Sequence, residues 1–168
     1  GGWEIVEAER VFDQTLDEML IRGCIDRVER NSDTGAVRVL DYKTSGIARE
    51  PARAHWGAYR EKRDADTVPE YAKLAIKVNK RGGARRWLDL QLPLYAWALE
   101  EEHGTEVSAG YFNIPSVGTD TGVSLLAPFD AEVKELAMDC ARGVVKDITA
   151  GRFWPPAAKP EHDDFKGL

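Results

Sequence analysis

Apolar and polar residues alternate loosely from Trp3 to Phe12 (WEIVEAERVF), a period of two that predicts a strand. Leu20 to Arg30 (LIRGCIDRVER) and Ala36 to Thr44 (AVRVLDYKT) are β-branched runs on either side of Asn31-Ser32-Asp33-Thr34-Gly35. That polar, glycine-closed spacer predicts a β-hairpin. Residues 45–86 are polar and irregular, with a short helical candidate around Pro51 to Arg60 and a second hairpin turning at Gly82-Gly83. Leu90 to His103 then reads as a helix, with Asp89 as its N-cap and Gly104 as its stop. Pro93 falls in or just past its first turn, where a missing N–H costs least. Val107 to Ile114 and Val123 to Ala127 are predicted strands joined by the turn-rich stretch 117–122. Asp130 caps a last helix running to Ala150, whose Val133, Leu136, Ala137, Cys140, Val144 and Ile148 keep helical spacing, and Gly151 ends it.

Strands thus mix with helices, and Val37 to Tyr42 carries apolar residues on both faces. The simplest architecture is α/β: one mixed β-sheet covered on both sides by helices, in a single domain over residues 1–168. No internal repeat is visible. The tail Pro155-Pro156-Ala157-Ala158-Lys159-Pro160 reads as a boundary or an extended wrap.

Composition narrows the setting. An apolar fraction of 43% with 31% charged residues fits a soluble globular protein. No apolar run approaches the roughly 18 residues that span a bilayer, so no membrane partner is expected. Gly1-Gly2-Trp3-Glu4 lacks the basic and apolar regions of a secretory leader. Two cysteines, Cys24 and Cys140, make neither a disulfide framework nor a four-cysteine metal site. A reducing, cytoplasmic location follows as the expectation. The net charge of −6 argues against nucleic acid until its distribution is considered. Residues 45–86 hold 11 Lys and Arg against 5 Asp and Glu, whereas the remainder holds 12 against 24. The basic stretch can meet phosphates, through Arg49, Arg53, Arg60, Arg81, Arg85 and Arg86, or be a solvated surface.

Candidate chemistry sits in Gly23-Cys24-Ile25-Asp26-Arg27 followed by Asp41-Tyr42-Lys43-Thr44. A two- or four-residue hairpin loop centred on Asp33 and Thr34 places Asp26 directly opposite Asp41. A three-residue loop with a bulge would shift that register by one. Directly opposed Cβ atoms lie about 4.5–5.5 Å apart, where like charges repel. Lys43 joins the two carboxylates on one face because side chains alternate along a strand. A lone D-x-K is equally a surface ion pair of little worth. Two acids converging beside apolar surface instead call for a cation, and Mg²⁺ suits one or two carboxylates completed by water and phosphate. A lysine two residues on can orient an attacking water and offset charge on the transition state of phosphodiester hydrolysis. Gln91 and Tyr95 are i and i+4 on the predicted helix and share a face.

G-x-x-D-R on one strand, D-Y-K-T on the next and Gln91-Leu92-Pro93-Leu94-Tyr95-Ala96 on a later helix resemble the ordered motifs of RecB-like nucleases, a branch of the PD-(D/E)XK superfamily. The resemblance covers roughly residues 3–156. It implies a restriction-endonuclease-like fold and Mg²⁺- or Mn²⁺-dependent hydrolysis of DNA, exonuclease rather than endonuclease, in recombination or double-strand-break repair. It places the metal on Asp26, Asp41 and the backbone carbonyl of Tyr42, makes Lys43 the motif lysine, and gives Gln91 and Tyr95 the task of supporting that lysine or contacting DNA. Partners implied are single-stranded DNA ends and a helicase region of a larger polypeptide, of the kind in RecBCD and AddAB. Many relatives supply a further histidine ligand from an upstream helix, and here His55, His103 and His162 all lie downstream of that place. Residues 151–168 contain no cysteine, so an iron–sulfur cluster is not expected. Glu9 reads as solvent-facing, His55-Trp56 as packing and Phe153-Trp154-Pro155-Pro156 as a hydrophobic cap. The alternative from another class is a nuclease-fold scaffold that binds DNA without cutting it.

Overall fold

Strand β1 (Trp3–Leu16), strand β2 (Met19–Asn31) and strand β3 (Val37–Lys43) form an antiparallel meander in the computed structural model, which describes residues 2–74, 83–103, 106–116 and 118–153. The turn after β2 follows from its sequence. Asn31 Oδ1 accepts the N–H groups of Asp33 and Thr34, each at 3.0 Å, and Gly35 N–H closes on Asn31 O at 2.8 Å. Gly35 takes φ +74°, where a side chain is unfavourable. With Asn31 N–H also bonded to Ala36 O, four residues form the loop, and Arg27 pairs with Leu40, Val28 with Val39 and Glu29 with Arg38. This is the register that the centred loop predicts. The β1–β2 turn at Asp17-Glu18 was not expected, and β1 runs four residues past its predicted end at Phe12.

Strand β7 (Val107–Asn113) adds parallel to β3, from Val37 beside Val107 to Lys43 beside Asn113, and strand β8 (Gly122–Leu125) pairs antiparallel with β7. The order β1-β2-β3-β7-β8 is therefore a mixed sheet. A parallel pair needs a long crossover, and residues 44–106 supply it. They include the short helices α1 (Pro51–His55) and α2 (Glu61–Asp64) and a small antiparallel sheet of β4 (Trp56–Ala58), β6 (Arg85–Trp87) and β5 (Lys73–Leu74). The predicted helix from Pro51 therefore stops at His55, because Trp56 turns into β4 and packs edge-on against Trp87. β5 and β6 are antiparallel as a hairpin requires, and Gly82 of its expected turn lies outside the described residues.

Helix α3 (Gln91–His103) closes the crossover and packs on β3 and β7. Its start is set by Asp89, whose Oδ1 accepts the Gln91 N–H at 2.7 Å. Leu92, Tyr95, Ala96 and Leu99 turn into the core with Phe12, Val39, Val107 and Tyr111. Each fully buried aliphatic side chain there contributes about 1.5–3 kcal/mol. Helix α4 (Ala131–Thr149) packs beside α3, its N-cap Asp130 accepting the Val133 N–H at 3.0 Å. It ends where Gly151 adopts φ +66° and the N–H groups of Gly151 and Arg152 return to Ile148 O and Asp147 O.

The mixed α/β sheet flanked by helices is the expected class. The opposite sheet face, away from Val28 and the core, carries Glu29, 1% exposed, between Arg27 and Arg38, with Arg38 stacked on Trp3 and Arg27 on Phe112. Paired charges and aromatic rings cover that part of the sheet. None of the described helices is long and apolar enough to cross a membrane.

Candidate nuclease centre

The β2–β3 ladder ends at Arg27 and Leu40, one step short of Asp26 and Asp41. The two aspartates are therefore not a directly opposed ladder pair. Instead Asp26 Oδ2 accepts the Tyr42 N–H at 2.8 Å, where a continued ladder would use a β2 carbonyl. The strands part at this point, and the acidic residues stand where they part.

Asp41 is 5% exposed, and its Oδ2 is shielded from solvent without an aligned hydrogen-bond donor. Lys43 Nζ lies 2.6 Å from that oxygen, close enough for charge contact, though without hydrogen-bond geometry. The ammonium also sits 4.7 Å from the centroid of the Tyr111 ring. Lys43 O accepts the Ile114 N–H on the β7 side at 2.9 Å, so the Tyr42 carbonyl, one residue back, points toward β2 and Asp26. Lys43 offsets the charge of this buried carboxylate on one side, and Asp26 adds a second carboxylate nearby, so a divalent ion fits between the two acids. Asp26, Asp41 and the Tyr42 carbonyl are the oxygens that would hold such an ion. Among the described residues no group of three or more His, Cys, Asp or Glu is placed to hold a metal, so water and phosphate would complete the shell.

Gln91 and Tyr95 meet as their spacing predicts, with Gln91 Nε2 donating to Tyr95 OH at 3.1 Å. Burial is the main cause that raises the Tyr95 pKa; the charges of Asp41 and Asp26 add to it, which sets both carboxylates near this hydroxyl. Gly23 of the first motif has a packing role here. A Cβ at Gly23 would lie 2.5 Å from Phe12 Cε1 and 3.4 Å from Tyr95 Cε1, so its absence lets the Phe12 ring meet Tyr95 edge-on across β2.

His55, read from sequence as packing, is fully buried and has a specific place. The Asp89 carbonyl lies ahead of the first helical hydrogen bond, from Leu94 N–H to Leu90 O, and the residue four positions on, Pro93, has no N–H to offer it. His55 Nδ1 takes this carbonyl at 2.8 Å, leaving Nε2 to accept from Tyr111 OH at 3.1 Å. Burial is the main cause that lowers the His55 pKa, and the Lys43 charge adds to it, so the ring is neutral. Burial likewise pushes Tyr111 up to about 12. A hydrogen-bonded chain thus joins the start of α3 to the ring beneath Lys43. Neither His55 nor Tyr111 was found as a site residue, because the vacancy created by Pro93 exists only in three dimensions. Trp56 is buried against Trp87 and does not offer a stacking face. Glu9 is exposed, as expected.

The arginine cluster divides. Arg49 lines a cleft of about 230 Å³ with Tyr42, Lys43, Thr44 and Ser45, at the end of β3 that follows Asp41. The Arg53 side chain is 84% exposed and pairs with Glu50 at 2.7 Å, while the Arg60 N–H is held by Asp64 Oδ2. Arg85 and Arg86 lie on β6, away from this cleft's lining, and Arg81 is outside the described residues.

Comparison with curated proteins and with solved structures gave no match. The family model of the PD-(D/E)XK nuclease superfamily matches residues 1–161, nearly the whole chain. The mixed sheet flanked by helices agrees with that match, and the chain belongs to the PD-(D/E)XK nuclease superfamily.

Proposed function

We propose that this chain hydrolyses phosphodiester bonds of DNA with Mg²⁺ or Mn²⁺, as an exonuclease of the RecB-like branch acting on single-stranded ends. The observation that carries this reading is the buried Asp41 carboxylate paired with Lys43 where β2 and β3 part. Asp26, Asp41 and the Tyr42 carbonyl hold the ion. The ion, when bound, offsets phosphate charge and eases deprotonation of the attacking water. Lys43 Nζ, steadied over Tyr111, donates to that water or to a non-bridging phosphate oxygen and stabilises charge that grows in the transition state. Gln91 and Tyr95 present an amide and a hydroxyl to the same space and orient the strand. The motif order supports the further reading that the module works beside a helicase region in recombination or break repair.

Cleavage of an end-labelled single strand in Mn²⁺ tests the proposal. Asp41→Ala and Lys43→Ala should each abolish product while the circular-dichroism spectrum stays unchanged. Undiminished cleavage by folded Lys43→Ala refutes the assignment.

A further inference from the structure

The loop that leaves β3 is fastened at several points to the end of β7. Ile114 N–H bonds Lys43 O at 2.9 Å at its start. At its end, Asn113 grips the backbone of Arg49 from both sides. Its Oδ1 accepts the Arg49 N–H at 2.8 Å, and its Nδ2 donates to Arg49 O at 3.1 Å. Between these points Ser116 Oγ donates to Gly46 O at 3.2 Å and Ser45 Oγ donates to Ile47 O at 2.6 Å. Asn113 is 3% exposed and stands beside Lys43 in the parallel ladder. A buried amide spending both halves of its hydrogen-bonding capacity on one exposed residue fixes where that residue's side chain starts.

The residue so held is an exposed cation. Among the described residues the Arg49 guanidinium has no ion-pair partner, whereas Arg53, four residues on, pairs with Glu50. Its charge is felt at Tyr111, the ring under Lys43, where it opposes the rise in pKa. Arg49, Lys43 and Thr44 share one open, polar cleft, with no carboxylate in its lining. Lys43 is paired with Asp41 at its edge, so Arg49 supplies the cleft's uncompensated charge, which suits a phosphodiester, and guanidinium geometry favours bidentate contact with its oxygens.

We infer that this cleft is a second phosphate subsite: it takes the nucleic-acid phosphate next to the one being cut, with Arg49 as its cation and Asn113 as the positioning residue. The inference rests on the proposed nuclease reading for which phosphate is cut, but not on the metal. Holding the neighbouring phosphate fixes the strand on the β3 side of Lys43. Register along the strand is then set by backbone charge, without reading a base.

The experiment uses a fluorescently labelled single strand and the full chain. Anisotropy titrations across a salt series are run without metal, and cleavage kinetics with Mn²⁺. Arg49→Ala should flatten the slope of log affinity against log salt by about 0.7, the loss of one single-strand phosphate contact. It should raise KM more than it lowers kcat, and Arg49→Lys should recover most of the slope. Asn113→Leu should reproduce the slope change with Arg49 still present, and Asn113→Asp gives a second reading if the leucine variant does not fold. Arg142→Ala, on α4, serves as the charge control. An unchanged slope in Arg49→Ala, with cleavage intact, overturns the subsite and leaves the nuclease reading standing. The expected slope change in a chain that binds but never cuts upholds the subsite and overturns the nuclease reading.

Discussion

Acidification should destabilise this domain through His55. The ring is fully buried and neutral, with Nδ1–H spent on Asp89 O and Nε2 accepting from Tyr111 OH. Its folded-state pKa lies below the ordinary value of 6.5, chiefly through burial, with the nearby Lys43 adding to the effect. The unfolded chain therefore binds this proton first as pH falls, so stability is complete above about pH 6.5 and declines below it. One differential proton gives a slope of at most about 1.4 kcal/mol per pH unit, hence up to about 2 kcal/mol between roughly pH 6.5 and 5. Protonation would also turn Nε2 from acceptor into donor, facing a tyrosine hydroxyl whose own pKa is pushed up to about 12. Urea unfolding across this range, compared with His55→Gln, isolates the contribution. A glutamine amide does not titrate, so the variant should be less stable at neutral pH yet have a shallower acid slope. Equal slopes in the two proteins, or stability that rises as pH falls, would refute the reasoning.

Other perturbations report on separate parts of the structure. Gly23→Ala should cost about 1–3 kcal/mol by overpacking, since the new methyl meets Phe12 at 2.5 Å; thermal melts measure it, and a neutral change would mean the Phe12–Tyr95 contact is loose. Asp26→Ala should cost about 0.5–1.5 kcal/mol by removing the acceptor of the Tyr42 N–H, whereas Asp26→Asn should retain most of that stability in the same chemical-denaturation series. Glu29→Ala should cost about 3–5 kcal/mol, because it leaves Arg27 and Arg38 facing each other without the buried carboxylate between them. A loss below about 1 kcal/mol there would mean that the opposite sheet face is stabilised by its aromatic rings rather than by the ion triad.

The hairpin that carries the centre was legible because its turn is written in local chemistry: an asparagine that caps two N–H groups and a glycine at positive φ. Its register follows from loop length, and the shared face of Gln91 and Tyr95 follows from helical spacing. The Asp17-Glu18 turn was missed because neither residue advertises φ > 0, although Asp17 adopts +52°. The ladder's end at Arg27 and Leu40 was also beyond sequence reading, since a strand's parting depends on what inserts between the pair. It alters the energetics expected of the aspartates: Asp26 is held by a backbone donor rather than simply repelled by Asp41. Of the six arginines singled out in the basic segment, five lie among the described residues, and Arg49 lines the Lys43 cleft. Asn113 and His55 act through partners more than thirty residues away in sequence, and no local pattern marks them.

The central claim is that Asp26, Asp41 and the Tyr42 carbonyl hold a divalent ion, and calorimetric titration with Mn²⁺ tests it most directly. The account predicts uptake by the unmodified chain, its loss in Asp41→Ala, and its persistence in Lys43→Ala, whose side chain contributes charge but no ligand oxygen. Folded protein that takes up no Mn²⁺, or uptake indifferent to Asp41→Ala, would contradict it.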